Sequence, residues 1–229
     1  MNTESVVVIA IDGPSGAGKG TLSQLVAKHL GYHLLDSGAL YRLVALSALK
    51  ANADLQDEDI IATVAGQLQV RFDTTGQSTR TLLAGEDVTD AIRHEDVGMS
   101  ASIVAAYPKV RIALLQRQRN FAQVPGLVAD GRDMGTTVFP QAQVKIFLTA
   151  SAEARAERRY KQLLQKGMVV DMAELVSDIK ARDDRDTQRA TSPLKPADDA
   201  LVLDSTSLSI DQVLKAILDQ VAAYQTLVR

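Results

Sequence analysis

An unbroken apolar run, Val6-Val7-Val8-Ile9-Ala10-Ile11, passes through Asp12 into a stretch with four glycines in eight residues, Gly13 to Gly20. Beyond it, Leu22, Leu25, Val26 and Leu30 recur at helical spacing until Gly31. A continuous β-branched run reads as a strand buried on both faces, which is the signature of a parallel sheet. A glycine-rich turn leading straight into an amphipathic helix then fixes the local arrangement as strand, tight loop, helix. The rest of the sequence repeats that rhythm. Tyr32 to Leu35, Leu127 to Asp130, Val144 to Leu148 and Leu201 to Leu203 read as further strands, separated by helical stretches such as Leu40 to Leu49. The expectation is an α/β fold on a parallel sheet of five strands flanked by helices.

One region departs from the rhythm. Between about Gln69 and Val97, Gln69-Val70-Arg71-Phe72 alternates, Thr74-Thr75-Gly76-Gln77 reads as a turn, and Thr81-Leu82-Leu83 resumes. Short strands with close turns imply a small antiparallel insert. Ile210, Val213, Leu214, Ile217, Leu218, Val221 and Tyr224 form a last helical stripe that packs.

The loop Gly13-Pro14-Ser15-Gly16-Ala17-Gly18-Lys19-Gly20-Thr21 contains G-x-x-x-x-G-K. Its glycines let several backbone N–H groups converge on one anion, while Lys19 adds a point charge and the helix N-terminus adds its dipole. The general motif places Ser or Thr directly after the lysine to reach Mg²⁺; here Gly20 intervenes and Thr21 follows. A dinucleotide-binding reading, from Gly13-x-x-Gly16-x-Gly18 with Asp36 ending the second strand, explains fewer residues because such a turn has no use for Lys19. A guanine-reading GTPase would need an Asn-Lys-x-Asp segment, which the sequence lacks.

Four other segments carry charge where such a loop could use it. Leu35-Asp36-Ser37-Gly38-Ala39-Leu40-Tyr41-Arg42 follows the second strand, and Ser37 there is either a helix cap or a substrate contact. An apolar strand ending at Asp130 has the form of a Walker B carboxylate, which holds Mg²⁺, often through water, and Gly131-Arg132-Asp133-Met134-Gly135 continues it. Arg155, Arg158 and Arg159 share one helical face, as do Arg182, Arg185 and Arg189. Solvated faces laced by Glu153, Glu157, Asp178 and Asp186 would account for these charges too. Transfer of a phosphoryl group to a phosphate favours the other account. Its acceptor oxygen is already anionic, so the site must supply positive charge rather than a general base.

Composition excludes several alternatives. With 229 residues the chain can bury a full core as one domain with an insert. There is no cysteine, so disulfides, thiolate metal sites and cysteine nucleophiles are excluded. His29, His33 and His94 fall at no metal-site spacing. The net charge of −3 argues against nucleic acid or a membrane as partner. Val6 to Ile11 is too short for a signal-peptide core and lacks a basic leader, so a cytoplasmic protein is expected. No long apolar seam is left over, and the expected state is a monomer.

Gly-Lys-Gly-Thr at 18–21 is the loop variant of nucleoside monophosphate kinases. Together with Leu35–Arg42, Asp130–Gly135 and Arg182-Asp183-Asp184-Arg185-Asp186 through Arg189, the chain resembles the bacterial cytidylate kinases along its whole length. The resemblance implies a P-loop NTPase fold with a core at 1–65, 99–150 and 196–229, an NMP-binding insert at about 66–98, and a short helical lid within 151–195. It implies Mg²⁺- and ATP-dependent phosphorylation of CMP and dCMP; the alternative is another nucleoside monophosphate kinase, one for UMP or AMP. Gly13 to Thr21 would hold the ATP phosphates, Lys19 bridging donor and acceptor, with Arg155, Arg158 and Arg159 closing over them. Ser37, Tyr41, Arg42, Arg132 and Arg189 would gather the acceptor. Ser102, Arg111 and Asp133 would read cytosine, and Arg182 and Asp186 would contact the sugar and phosphate side. Arg132, Arg182 and Arg189 would assist transfer alongside Lys19, and Asp130 with Thr21 would hold the metal. An exocyclic amine donating to Asp133 would separate cytosine from uracil, whose carbonyl would face that carboxylate lone pair to lone pair.

Overall fold

The apolar run forms β1 (Val7–Asp12), buried along all but its first residue. A computed structural model describes residues 6–73, 80–165 and 167–227. The chain packs as two units, one of residues 1–36 with 119–229 and one of residues 37–118.

In the first unit β1 is the central strand of a five-stranded sheet ordered β2 (His33–Asp36), β6 (Gly126–Gly131), β1, β7 (Val144–Thr149), β8 (Leu201–Asp204), and every pairing is parallel. All five expected strands are there, each within a residue or two of its expected ends. Burial on both faces explains why β1 and β6 are apolar without alternation. Parallel pairing needs crossover segments, and α1 (Lys19–Leu30) supplies the first. It packs with α8 (Ile210–Leu227), so that Val26, Val213 and Ile217 join Ile9, Ile11, Val128, Ile146 and Leu148 in one core. The register sets the site: Asp12 lies opposite Gly131, and Asp36 opposite Asp130, so three carboxylates and the glycine loop share the carboxyl edge of the sheet. The expected lid region holds two helices packed on each other, α6 (Ala152–Gln165) and α7 (Met172–Gln188), the latter capped by Asp171 accepting from the Glu174 N–H at 2.9 Å.

The second unit is built on α2 (Ser37–Lys50), in which Leu40, Leu43, Val44, Ala45 and Ala48 are all fully buried. A helix apolar nearly all round is a central helix. Against it pack α3 (Glu58–Gly66) and α4 (Glu95–Val104), and α5 (Pro108–Arg119) follows. The antiparallel insert is present as β3 (Val70–Asp73), β4 (Arg80–Leu83) and β5 (Glu86–Asp87). The third of these strands is not legible in the sequence, since two charged residues carry no alternation. The expected turn at Thr74–Gln77 lies outside the described residues.

Candidate active site

The loop between β1 and α1 turns where only glycine fits. Gly13 has φ +149°, and a Cβ there would lie 1.9 Å from the Leu148 carbonyl oxygen of β7. Gly18 enters α1 at φ +97°, and Lys19 begins the helix. The Lys19 side chain is buried, and its Nζ donates to the Pro14 carbonyl at 2.9 Å, folding the loop around the ammonium. Thr21, two residues further along the helix, is exposed.

Two acidic residues, Asp12 and Asp130, lie close to this ammonium. Asp12 is buried at the end of β1, and its two oxygens accept the backbone N–H groups of Met134 and Gly135, each at 2.8 Å. These bonds order a π-helical turn, Met134–Val138, and with it the preceding Arg132 and the buried Asp133. Burial pushes the Asp12 carboxyl up to about 6 despite those two bonds. Asp130 is also raised, chiefly by burial, with Lys19 opposing and the Asp36 charge adding to the rise. Lys19 is pushed below the usual lysine range by burial first and then by the Arg132 charge, with Asp130 and Asp12 opposing. The donor set at Asp130 suits a hard cation that keeps most of its water and takes its remaining oxygens from a bound phosphate. A Cβ built on Gly20 would lie 3.7 Å from Asp130 Oδ2, so Gly20 keeps a side chain off that oxygen. Among the described residues no group of three or more histidine, aspartate or glutamate side chains could cage a metal by itself.

The arginines divide into two sets. Arg132 Nε donates to Asp186 Oδ2 at 2.9 Å, and Arg189 Nη1 lies 3.8 Å from the other oxygen. Arg182 lies within electrostatic reach of both Asp186 and Lys19. In the second set, Arg155 is buried with its guanidinium on the Ser15 and Ala150 carbonyls and the Asp183 carboxylate. Arg158 reaches Ser205 and the Ala17 carbonyl, and Arg159 is half-buried beside it. The solvated-face account fits the lysines instead: Glu153 pairs with Lys180 at 2.9 Å and Glu157 with Lys161 at 2.7 Å.

Within the second unit, the other expected residues also cluster. Ser37 Oγ donates to Gln118 Oε1 at 2.7 Å. Arg42 Nη1 donates to the Ile92 carbonyl at 2.8 Å, and its guanidinium lies against Gly98, where a Cβ would come within 3.1 Å. Ser102 Oγ donates to the carbonyl of that same Gly98 at 3.3 Å. Arg111 holds the Ala105 carbonyl at 2.9 Å, with its guanidinium carbon 5.5 Å from the centre of the Tyr41 ring.

Residues 9–223 match the family model described as cytidylate kinase. The chain belongs to the cytidylate kinase family. It is 59% identical over 211 residues to the cytidylate kinase of Aeromonas hydrophila, covering 92% of each chain. It is 60% identical over 217 residues to that of Pseudomonas syringae pv. tomato, covering 94% of this chain and 95% of that one. The relative from Shewanella denitrificans is 54% identical over 223 residues. Membership of the cytidylate kinase family sets aside the dinucleotide-binding alternative.

Four residues that contact the expected site residues are not singled out in the sequence. In the sequence Asp12 reads only as the end of a strand and Asp183 only as part of a charged run, while Gln118 and Ser205 do not stand out at all. Asp12 and Asp183 carry a weak signal, a carboxylate beside the loop and one inside an arginine-rich helix. The bond from Ser37 to Gln118 spans 81 residues, and no local pattern announces it.

Proposed function

We propose that this protein transfers the γ-phosphoryl group of ATP to CMP and dCMP. The observation that carries the reading is the cation cluster around Lys19. A buried ammonium is depressed by burial and by the neighbouring Arg132 and Arg182 charges, which Asp130 and Asp12 offset only in part, so the cluster is short of negative charge in the free protein. A polyanion entering the loop relieves both burdens, so the cluster is built for phosphates.

The loop from Gly13 to Thr21 cradles the ATP phosphates through the backbone N–H groups of Ser15, Gly16, Ala17, Gly18, Gly20 and Thr21 and the dipole of α1, with Gly13 and Pro14 shaping the turn, and Lys19 follows the charge as it moves from donor to acceptor. Arg155, Arg158 and Arg159 serve the ATP side. Mg²⁺, when bound, supplies charge to the phosphate oxygens and would be held by Asp130 through water, with Thr21 beside it. Arg132, Arg182 and Arg189 stabilise the charge spread over the transferring group, and Asp186 holds two of them in place. In the second unit, Ser37, Tyr41 and Arg42 take the acceptor phosphate side, and Ser102 and Arg111 the base. Asp133 accepts from the cytosine amine, and a buried carboxylate left facing the uracil carbonyl would reject UMP. No helix among the described residues is long and apolar enough to cross a membrane. The reading needs no partner beyond the two nucleotides, and we place the enzyme in the cytoplasm as a monomer.

The test is to incubate the protein with Mg·ATP and each of CMP, dCMP, UMP, AMP, GMP and dTMP while following ADP release. Rapid turnover with the cytidine nucleotides and little with UMP is expected. Turnover with another base keeps the kinase and removes the roles given to Ser102, Arg111 and Asp133.

A further inference from the structure

The carbonyl groups of the phosphate loop are gripped one by one. Lys19 Nζ takes Pro14 O at 2.9 Å, Arg155 Nη1 takes Ser15 O at 3.1 Å, and Ser205 Oγ takes Ala17 O at 3.3 Å. In a trans peptide the C=O and the N–H of the next residue point in opposite directions. Holding a carbonyl therefore aims an amide, and the grip on Ser15 O aims the Gly16 N–H away from Arg155. Gly16 itself, at φ +79°, has no side chain to fix that peptide plane by sterics. Its orientation must be imposed from outside the loop.

The residue that imposes it is itself held. Of the five N–H groups of a guanidinium, four in Arg155 go to protein oxygens. Nε donates to Ala150 O at 2.9 Å, Nη1 to Ser15 O and to Asp183 Oδ1 at 3.0 Å, and Nη2 to Asp183 Oδ2. Arg155 is 3% exposed and packs under the loop, where a Cβ on Gly16 would lie 3.3 Å from Arg155 Cβ. A bidentate carboxylate fixes both the plane and the position of a guanidinium, which a single hydrogen bond cannot do. Asp183 stands on α7, three residues before Asp186, so the same helix that orients Arg132 also braces the loop.

We propose that Asp183 and Arg155 act together as positioning residues that aim the Ser15–Gly16 peptide at the triphosphate of ATP, Arg155 working through the loop rather than by touching phosphate. This rests on the reading that the loop binds ATP. The substitutions are Asp183→Ala, the near-isosteric Asp183→Asn, Asp183→Glu, Arg155→Ala and the double Arg155→Ala/Asp183→Ala, with KM for each nucleotide and kcat measured. Asp183→Ala is expected to raise KM for ATP on the order of tenfold to a hundredfold, the range of one missing hydrogen bond to a charged group, with KM for CMP within twofold. Asp183→Glu restores part of the loss. The double substitution is no worse than Arg155→Ala alone, because the two residues act as one unit. An unchanged KM for ATP, a parallel rise in both KM values, or additive losses would each overturn the proposal. If Asp183→Ala does not fold, Asp183→Asn carries the same comparison, because its amide nitrogen cannot accept from the guanidinium. Calorimetric titration of ATP into the wild type and Asp183→Asn separates the two readings. Weaker ATP binding in the variant supports the pair even where CMP is not turned over, and equal binding sinks it.

Discussion

Arg132 on the loop after β6 and Asp186 near the end of α7 are joined through Nε and Oδ2 at 2.9 Å, although 54 residues separate them in the chain. Burial alone would raise the Asp186 carboxyl, but the Arg132 charge and hydrogen bond, with Arg189 and Arg182, outweigh it and hold the group below the usual aspartate range. A carboxylate held low in the folded state contributes stability that is complete above the unfolded value near 4 and is lost as pH falls through the folded value. Asp186→Asn should therefore destabilise the protein by about 2–4 kcal/mol at pH 7, since it leaves clustered guanidinium groups without their anion. Urea unfolding at pH 7 and at pH 3 checks this. The gap between wild type and variant should shrink at the lower pH, and a gap that stays constant would mean the carboxylate's charge is not what matters.

Asp12 gives the opposite slope. Its carboxyl is raised from 3.8 to about 6, so the folded protein binds more protons than the unfolded chain between those values. Stability then falls as pH rises across that window. The total is on the order of 3 kcal/mol at 1.36 kcal/mol per pKa unit. Asp12→Asn removes the titrating group and should flatten this part of the profile, while losing one of the two acceptors that order the turn at Met134 and Gly135. Denaturant midpoints at half-unit steps from pH 4 to 7, without metal or nucleotide, read the slope directly. Parallel profiles for the two proteins would show that Asp12 titrates normally.

The two carboxylates also mark how far the sequence could be read. Periodicity and spacing were enough for the five strands, the glycine loop, the antiparallel insert and the arginine-bearing helices, because each is a local pattern backed by a local physical rule. The antiparallel β5 escaped because Glu86 and Asp87 alternate nothing. Arg155 and Arg158 share a helical face, as spacing predicts, yet they close on loop carbonyls and on Asp183 and Ser205. Which oxygen an arginine finds depends on register between helices, and that is a property of packing. For the same reason the buried Asp12 reads as a strand end until its partners 122 and 123 residues away are in place.

Two glycines of the loop should separate fold from function. Gly13→Ala places a methyl carbon 1.9 Å from the Leu148 carbonyl oxygen, at φ +149°, where a side chain is strained in any case. Backbone cannot yield there without moving β7, so a loss above about 4 kcal/mol and mostly insoluble protein are expected. Gly20→Ala meets nothing closer than Asp130 Oδ2 at 3.7 Å and lies in a helix, where alanine is preferred. Its melting temperature should match or exceed that of the wild type, while the methyl group takes up space beside the carboxylate assigned to the metal, where a hydrated cation would sit, and lowers turnover. Thermal melts of both variants, with ADP release for Gly20→Ala, make the comparison. A well-folded Gly13→Ala would show that the loop can draw away from β7 at little cost.

Lys19→Met inverts the usual relation between stability and activity. The ammonium is depressed by burial first and then by Arg132, so at neutral pH its charge works against the folded state. An unbranched apolar side chain of similar length fills the space without that burden, at the loss of the bond to Pro14 O. Because the loop carbonyls of Ser15 and Ala17 keep their own donors, the loop should hold its shape. The melting temperature is therefore expected to stay level or rise by about 2–4 °C, the shift that ~1 kcal/mol gives in a protein of this size. On the proposed role of Lys19 in following the charge from donor to acceptor, turnover should fall on the order of a hundredfold to ten-thousandfold. Calorimetric melting and CMP-dependent ADP release on the same preparation test both halves. A variant that melts lower and keeps its turnover would make Lys19 a structural lysine and leave the transferring phosphoryl group to the arginines.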